Sequence, residues 1–381
     1  MIETSKNTDQ KKIALDSIED AIQAIKNGEI IIVVDDEDRE NEGDFICAAE
    51  CITPEMVNFM ATHGRGLICT PIELSRAEEL DLKLMVQDNT ALHETAFTVS
   101  IDLKGFGCST GISAYDRATG IKKIIDPNIK STDYARPGHI FPLIAKSGGV
   151  LRRTGHTEAS IDLARLAGYY PAGVLVEILN EDGTMARLPQ LREIADQFDL
   201  KLISIEDLVE YRMRTERIIE KEMETQIESK KYGLFKVAAY RQVTTNDIHL
   251  AIYKGDIHPN NPTLVRVHSN TATGDILGIL FDGYAEKLDK SLELIANSDA
   301  GVLLYMRHGE KGEQIINKLR SIDNNPTNDP IIASEQRDFG IGAQILRDLN
   351  IRKIKLISSH DKKRIALDGY GLEIIDQIEL G

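Results

Sequence analysis

The sequence predicts a layered α/β protein with two domains, an N-terminal α/β domain over residues 1–212 and a second α/β domain over residues 213–381. Strand-length apolar runs alternate with helix-forming segments along the first half, a pattern that builds sheets covered by helices. The 381 residues suit two domains at roughly 150 residues each. A highly charged, helix-forming stretch, Glu206 to Lys231, interrupts the alternation, and the boundary is placed near Met213.

Taken in order, Ile13 to Asn27 reads as an amphipathic helix, with Ile18, Ala21, Ile22 and Ile25 at helical spacing and Gly28 to end it. Ile30 to Val34 is a continuous apolar run and reads as a buried strand; Phe45 to Ala49 reads as another. Thr53-Pro54 starts a helix, with an N-cap hydroxyl and proline at the first helical position. Leu67 to Ile72, Ala96 to Ile101 and Val174 to Leu179 are predicted strands; Ser113 to Lys123, Thr157 to Ala167 and Pro189 to Phe198 are predicted helices. The second half opens on strand-like Leu234 to Tyr240, His249 to Tyr253 and Leu264 to Val267. It continues with a helix around Lys287 to Ala296, strand Val302 to Met306, helix Ile341 to Leu349 and strand Ile354 to Ile357, with a polar loop at Asp323 to Pro330.

Hydrophobic residues make up 42% of the chain and charged residues 28%, enough apolar content for a buried core in each half. A net charge of −16 repels phosphate backbones and argues against a nucleic-acid partner, while a local basic pocket can still hold a small anion. The four cysteines, Cys47, Cys51, Cys69 and Cys108, all lie in the first third and give no disulfide framework. The polar start has no apolar signal-peptide core, and no apolar run approaches the roughly 20 residues that span a bilayer. The expected location is cytoplasmic, with no membrane partner.

The densest chemical signal is DDEDRENEGD, Asp35 to Asp44, in which seven of ten residues are acidic and only Arg39 is basic. A solvated loop is the bland reading of a charge run. This run sits between two strands, where α/β folds place sites, and its mutual repulsion calls for a cation. A hard divalent ion takes oxygen ligands of this kind, and Arg39 offers a planar fork for phosphate or carboxylate. RRTGHTEAS, Arg152 to Ser160, places His156 at a helix start, with Gly155 permitting close approach and Thr157 able to cap the helix. Arg136-Pro-Gly-His139 sets a second histidine in a rigid turn, and Gly107 to Arg117 is a Gly/Ser/Thr loop that could cradle phosphate. Glu177 lies in an apolar strand, where it is either paired, metal-linked or protonated, or simply faces outward.

Together, DDEDRENEGD, RPGHIFPL, RTGHTEAS and the strand ending in Glu177 resemble 3,4-dihydroxy-2-butanone-4-phosphate synthase, in that family's order, over residues 13 to 212. The resemblance implies an α/β homodimer with sites at the subunit interface. It implies conversion of ribulose 5-phosphate to formate and a four-carbon phosphate for riboflavin synthesis, with Mg²⁺ or Mn²⁺ as cofactor. Carried over by residue, Glu40 and His156 would bind the metal. Arg39, Glu40, Asp44, Thr110, Arg153, Thr154, Gly155, His156, Thr157 and Glu177 would bind substrate, and His139, Glu177, Asp35, Glu37 and Cys69 would be catalytic. For Cys69 a small buried hydrophobe is an equal reading.

Residues 233 to 381 resemble GTP cyclohydrolase II through LVRVHS (Leu264 to Ser269), TGD (Thr273 to Asp275), GVLLYMR (Gly301 to Arg307), NKLR (Asn317 to Arg320), RDFGIGAQIL (Arg337 to Leu346) and GYGLEI (Gly369 to Ile374). That family holds zinc with three cysteines, and the corresponding positions here are Thr271, Asp282 and Tyr284. The family's Gln-Glu-Gly-Arg-Gly-Ile-Gly segment reads His308 to Gln314, its catalytic Asp aligns with Glu335 while Arg337 is kept, and its Thr-Asn-Asn-Pro segment has become Ser358 to Asp361. A substitute site from His268, Asp275, Asp282 or His308 is the alternative. The expectation is therefore a synthase with a degenerate, zinc-free cyclohydrolase II-like domain. A bifunctional enzyme, or a C-terminal regulatory or oligomerisation module, is the alternative.

Overall fold

The computed structural model describes residues 13–36, 39–86, 89–90, 95–270, 284–307, 331–358 and 371–379. The chain divides into two compact units, Met1–Tyr211 and Arg212–Gly381.

The first unit is built on a mixed seven-stranded sheet of β1 (Ile31–Val34), β2 (Gly43–Ala48), β3 (Cys69–Ile72), β4 (Ile101–Leu103), β5 (Tyr134–Ile144), β6 (Gly173–Glu177) and β7 (Leu202–Ser204), in the order β4-β5-β3-β6-β2-β1-β7. β1 runs parallel to β7 and β3 parallel to β5; the other neighbours are antiparallel. Every residue of β1 and β2 is buried, which explains why these strands read as continuous apolar runs and not as alternating ones. Side chains still alternate between faces. Ile32, Val34, Phe45 and Cys47 join one core cluster, and Ile31, Val33, Ile46 and Ala48 join the other.

Helices cover both faces: α1 (Ile18–Lys26), α2 (Pro54–Phe59), α3 (Leu74–Glu79), α4 (Ala114–Ile124), α5 (His156–Leu166), α6 (Leu188–Phe198) and α7 (Ile205–Thr215). Ile18, Ala21 and Ile25 of α1 pack with Ala159 and Leu163 of α5 on one face, while Val57 of α2, Ile121 of α4 and Leu191 of α6 pack on the other. Ser17, Thr53 and Ser113 each cap a helix by accepting a first-turn N–H.

Four local expectations need correction. Thr157 does not cap α5: the extended residue at the cap is Gly155, and Thr157 is buried within the first turn. The strand expected at Ala96 to Ile101 begins only at Ile101. Before it the chain makes isolated bridges at Phe97 and Thr98, and the Thr98 N–H is committed to Pro142 O. Arg136 to His139 lies inside β5 and not in a separate turn. The ladder steps from Ile101↔Ile140 to Asp102↔Ala135, so these residues loop out as a bulge. The charged stretch from Glu206 to Lys231 is helical only in α7. Its remainder is strand β8 (Ile219–Ser229), because full-length antiparallel pairing with β9 (Gly233–Gln242) overrides helix propensity.

The second unit has its own mixed sheet, in which β8 and β9 are joined by β10 (Ile248–Gly255), β11 (Thr263–Asn270), β12 (Ala300–Arg307), β13 (Lys353–Ser358) and β14 (Glu373–Glu379), in the order β14-β13-β11-β12-β10-β9-β8. Helices α8 (Tyr284–Ala296) and α9 (Ile331–Asp348) belong to it. The loop expected at Asp323 to Pro330 lies outside the described residues. Among the described residues no helix is long and apolar enough to cross a membrane.

One buried cation ties two helices of the first unit together. Arg76 of α3 donates from Nε to Ile124 O at 2.5 Å and from Nη2 to Asp126 O at 2.7 Å, satisfying carbonyls where α4 ends. Arg76→Met keeps the stem but orphans those carbonyls. It should lower unfolding stability by about 2–3 kcal/mol, read as a lower urea midpoint at unchanged m-value.

Candidate active site

The sheet register collects the acidic and histidine residues on one rim of the first unit. Val33 faces Asp44 across β1 and β2, and Asp44 faces Glu177 across β2 and β6. The carboxylate of Glu177 accepts the N–H of Leu67 at 2.9 Å, just ahead of β3. Cys69, at the start of β3, pairs with Phe141, two residues beyond His139 in β5. The faces of the central strands are covered, so their ends are where polar groups meet solvent.

The acidic run is the connection of the β1–β2 hairpin, and Asp35 organises it. Asp35 Oδ1 accepts the N–H of Glu42 at 2.8 Å, while Oδ2 accepts the N–H of Glu40 at 3.2 Å and Arg39 Nη1 at 2.7 Å. Arg39 Nη1 also donates to Glu40 Oε2 at 2.8 Å. From outside, Arg187 donates to the carbonyls of Glu40, at 2.8 Å, and Asn41. The described residues of the loop, Asp35 and Arg39 to Glu42, are therefore tied together despite their like charges. Glu37 lies outside the described residues.

His156 opens α5 and is buried, with Nε2 3.1 Å from Val33 O. A carbonyl only accepts, so Nε2 carries the proton and Nδ1 presents its lone pair to the carboxylates. Burial, the largest influence, pushes this imidazole below its ordinary pKa, which favours the neutral, ligating form. Nδ1 is 3.9 Å from Glu40 Oε2 and 4.0 Å from Asp44 Oδ1. Two ligand atoms each about 2.1 Å from one ion are at most about 4.2 Å apart, so the gap suits a shared divalent cation. Atoms of Asp35, Glu40 and His156 all lie within 4.8 Å of one another. Asp35 and Glu40 both also accept a hydrogen bond from Arg39, so the three residues together form the candidate ligand set.

Asp44 is fully buried between these groups. Burial first, then the charges of Glu177, Glu40, Asp35 and Glu42, drive its carboxyl well above the ordinary range. Burial and the nearby Glu40 raise Glu42 in the same direction. Burial also raises the Cys69 thiol, with Glu177 and Asp44 adding to it, so Cys69 is a neutral thiol in the apolar core.

A family model of 3,4-dihydroxy-2-butanone 4-phosphate synthase matches residues 19–211, and one of GTP cyclohydrolase II matches residues 220–379. The chain belongs to the 3,4-dihydroxy-2-butanone 4-phosphate synthase family. Behind the synthase domain stands a GTP cyclohydrolase II domain. The riboflavin biosynthesis protein RibBA of Cytophaga hutchinsonii is 54% identical over 97% of this chain and 93% of its own length; RibBA of Porphyromonas gingivalis is 48% identical over the same shares. Among solved structures, RibBX, a two-domain 3,4-dihydroxy-2-butanone 4-phosphate synthase from A. baumannii, is 38% identical, with TM-score 0.76 over 96% of this chain and 99% of that one. A synthase solved in complex with two magnesium ions is 42% identical, with TM-score 0.51 over 53% of this chain and 98% of that one.

The other synthase-type residues fall into two further groups on the same unit. Arg153 Nη1 donates to Glu158 at 2.7 Å and Nη2 to Thr95 Oγ1 at 3.2 Å; it precedes Thr154, Gly155, His156 and Thr157 at the start of α5. His139 is held by Asp102, with its ring Nδ1 2.7 Å from Oδ2. Thr110 is exposed in a loop whose expected phosphate cradle is already filled. The N–H groups of Ser109 and Gly111 both donate to Asp116 Oδ2, at 3.2 and 2.9 Å, which removes those donors from use by a ligand. Glu158, Asp102, Asp116 and Arg187 were not singled out in the sequence. Only the odd polarity of Asp102 beside an apolar strand, and of Glu158 inside RTGHTEAS, could have flagged any of them.

Asp44 generates a pH prediction. Folding raises its pKa above the ordinary value of 3.8, so its contribution to stability is whole below that value and is lost as pH climbs through the raised folded value. Metal-free protein should therefore lose stability with rising pH above about 4, and Asp44→Asn should flatten that slope. Urea unfolding in chelator across pH measures both, and added Mg²⁺ should flatten the parent's slope as well.

Proposed function

We propose that the first unit converts D-ribulose 5-phosphate to L-3,4-dihydroxy-2-butanone 4-phosphate and formate for riboflavin synthesis, with residues 1–212 acting as synthase. The observation that carries this reading is the convergence of Asp35, Glu40 and His156 within 4.8 Å of one another, with Asp44 4.0 Å from the same imidazole, around a gap sized for one divalent cation. When bound, Mg²⁺ supplies Lewis acidity to the substrate's carbonyl and adjacent hydroxyl; Mn²⁺ suits the same oxygen-rich donors.

The chain's own residues supply the rest. Neutral His156, fixed by Val33 O, keeps Nδ1 turned toward the carboxylates. Arg153 and the first N–H groups of α5 favour the phosphate end of the substrate. Arg39 and Asp35 keep the loop in shape, and Arg39 together with Thr110 adds polar contacts. Glu177 and His139 move protons during enolisation, dehydration and skeletal migration. Asp35 and Glu37 are assigned to the same proton transfers by the family resemblance. Cys69, as a neutral buried thiol, contributes packing in the core beneath the strand ends. We assign the working form as a cytoplasmic homodimer; exposed Phe106, Ile112 and Tyr115 beside Thr110 supply apolar surface for a partner copy.

Residues 213–381 are assigned the fold of GTP cyclohydrolase II without its zinc chemistry. All four cysteines of the chain precede residue 109, and thiolates are the ligands that this zinc site needs. Thr271, Asp275, Asp282 and His308 lie outside the described residues, and Tyr284 opens α8. RibBX supports the reading as a two-domain protein named for the synthase alone. The RibBA relatives favour the second reading, in which both activities persist.

Metal-defined protein should release formate from ribulose 5-phosphate with Mg²⁺ and none from GTP with Zn²⁺. Zinc-dependent formation of formate and pyrophosphate from GTP would overturn the assignment of the second unit. His156→Ala and Glu40→Gln should each lower kcat/KM by at least about a hundredfold and weaken Mg²⁺ binding in calorimetry. Full activity in either variant would remove the metal assignment.

A further inference from the structure

Two buried carboxylates lie one turn apart on α5, Glu158 and Asp162, and both accept from the loop that leads into the helix. Asp162 Oδ2 accepts the N–H of Val150 at 2.8 Å, and Glu158 Oε1 accepts the N–H of Lys146 at 3.0 Å. Glu158 also holds a side chain: its Oε2 accepts from Arg153 Nη1 at 2.7 Å. The other arm of that guanidinium is held by Thr95, whose Oγ1 accepts from Nη2 at 3.2 Å. A planar guanidinium tied at both Nη atoms keeps one plane and one position.

The ion pair lies against the start of α5. Gly155, at the helix cap, donates its N–H to Arg153 O at 2.9 Å, and a Cβ on it would lie 2.2 Å from Arg153 Nη1 and 2.9 Å from Glu158 Oε2. Only a glycine there lets the pair close over the cap. The next residue, His156, reaches the metal gap. The Glu158 side chain is 1% exposed and that of Arg153 18%, so the carboxylate is set back and the guanidinium stands in front of it. A carboxylate this deep requires a partner, and it draws the guanidinium to the helix start.

We infer that Glu158 and Thr95 are positioning residues for the synthase reaction: they hold Arg153 over the start of α5 for the phosphate group of the substrate. This rests on the assignment of Arg153 to the phosphate end of ribulose 5-phosphate. By charge alone Glu158 would repel a phosphate dianion. It acts through Arg153, because a guanidinium already fixed in place meets a phosphate without first losing its rotamer freedom.

The test uses full-length Glu158→Gln, Thr95→Val, Arg153→Ala and the Glu158→Gln/Arg153→Ala double variant with Mg²⁺, assayed for formate release from ribulose 5-phosphate and for competitive inhibition by inorganic phosphate. Gln keeps an acceptor for the Lys146 N–H but turns an amide N–H toward Arg153. Expected for Glu158→Gln are a KM and a phosphate inhibition constant each raised at least about tenfold, with kcat within about threefold and Mg²⁺ affinity in calorimetry within about twofold. Thr95→Val should show the same split at about threefold, and the double variant should bind no more weakly than Arg153→Ala alone. Tighter phosphate inhibition in Glu158→Gln (the result charge alone requires), an unchanged KM, or a parallel loss of kcat and Mg²⁺ affinity would overturn the inference while Arg153→Ala still raises KM. A parent-like KM in Arg153→Ala would withdraw both the inference and the phosphate assignment beneath it. If Glu158→Gln does not fold, Thr95→Val decides: a raised KM at parent kcat supports the inference and a parent-like KM ends it.

Discussion

β1 and β2 of the first sheet are buried on both faces, and this burial dictates where the unit can place charge. A carboxylate within those strands would need a partner in the apolar core, so acidic residues are confined to strand ends and the hairpin beyond them. Antiparallel pairing of β1 with β2 and of β2 with β6 then gathers Asp35, Asp44 and Glu177 without long-range folding of loops. His156 comes from a different layer, at the start of α5, and is locked to the sheet through Val33 O.

Concentrating carboxylates in this way is unfavourable for the folded state unless something compensates. Arg39 and Arg187 compensate in part, Arg39 by donating to the carboxylates of Asp35 and Glu40 and Arg187 by donating to the loop's carbonyls. Asp44, the most deeply set, receives no such cation among the described contacts and responds by favouring its protonated form. The balance left over favours a divalent ion, and it links metal binding to proton release at the same site.

Much of this was legible in the sequence because it follows short-range rules. The continuous IIVV run, the Thr53-Pro54 helix start and the density of acids between two strands each have a local physical cause. The failures share a different cause. Strand β8 carries a composition that favours helix, and only its partner β9 makes it a strand. The bulge at Arg136 to His139 depends on a step in register with β4, which no local pattern records. The Gly107 to Arg117 loop looked like an anion cradle because its donors are real, but the acceptor is supplied by Asp116 of the same segment. Asp102, about forty residues from His139 in sequence, was invisible for the same reason: its role exists only once β4 and β5 are paired.

Strand β8 also bears on how copies of this protein meet. It forms one border of the second sheet and exposes Glu220, Lys221, Glu222, Glu224 and Glu228 along nearly its full length. An incoming strand from another molecule would have to bring its backbone alongside four glutamates and a lysine set among exposed Met223 and Ile227, in a chain that is already strongly anionic. The second unit thus carries its own barrier to open-ended sheet growth. Crowded expression should yield discrete particles, with chain-to-chain association directed to surfaces other than this border.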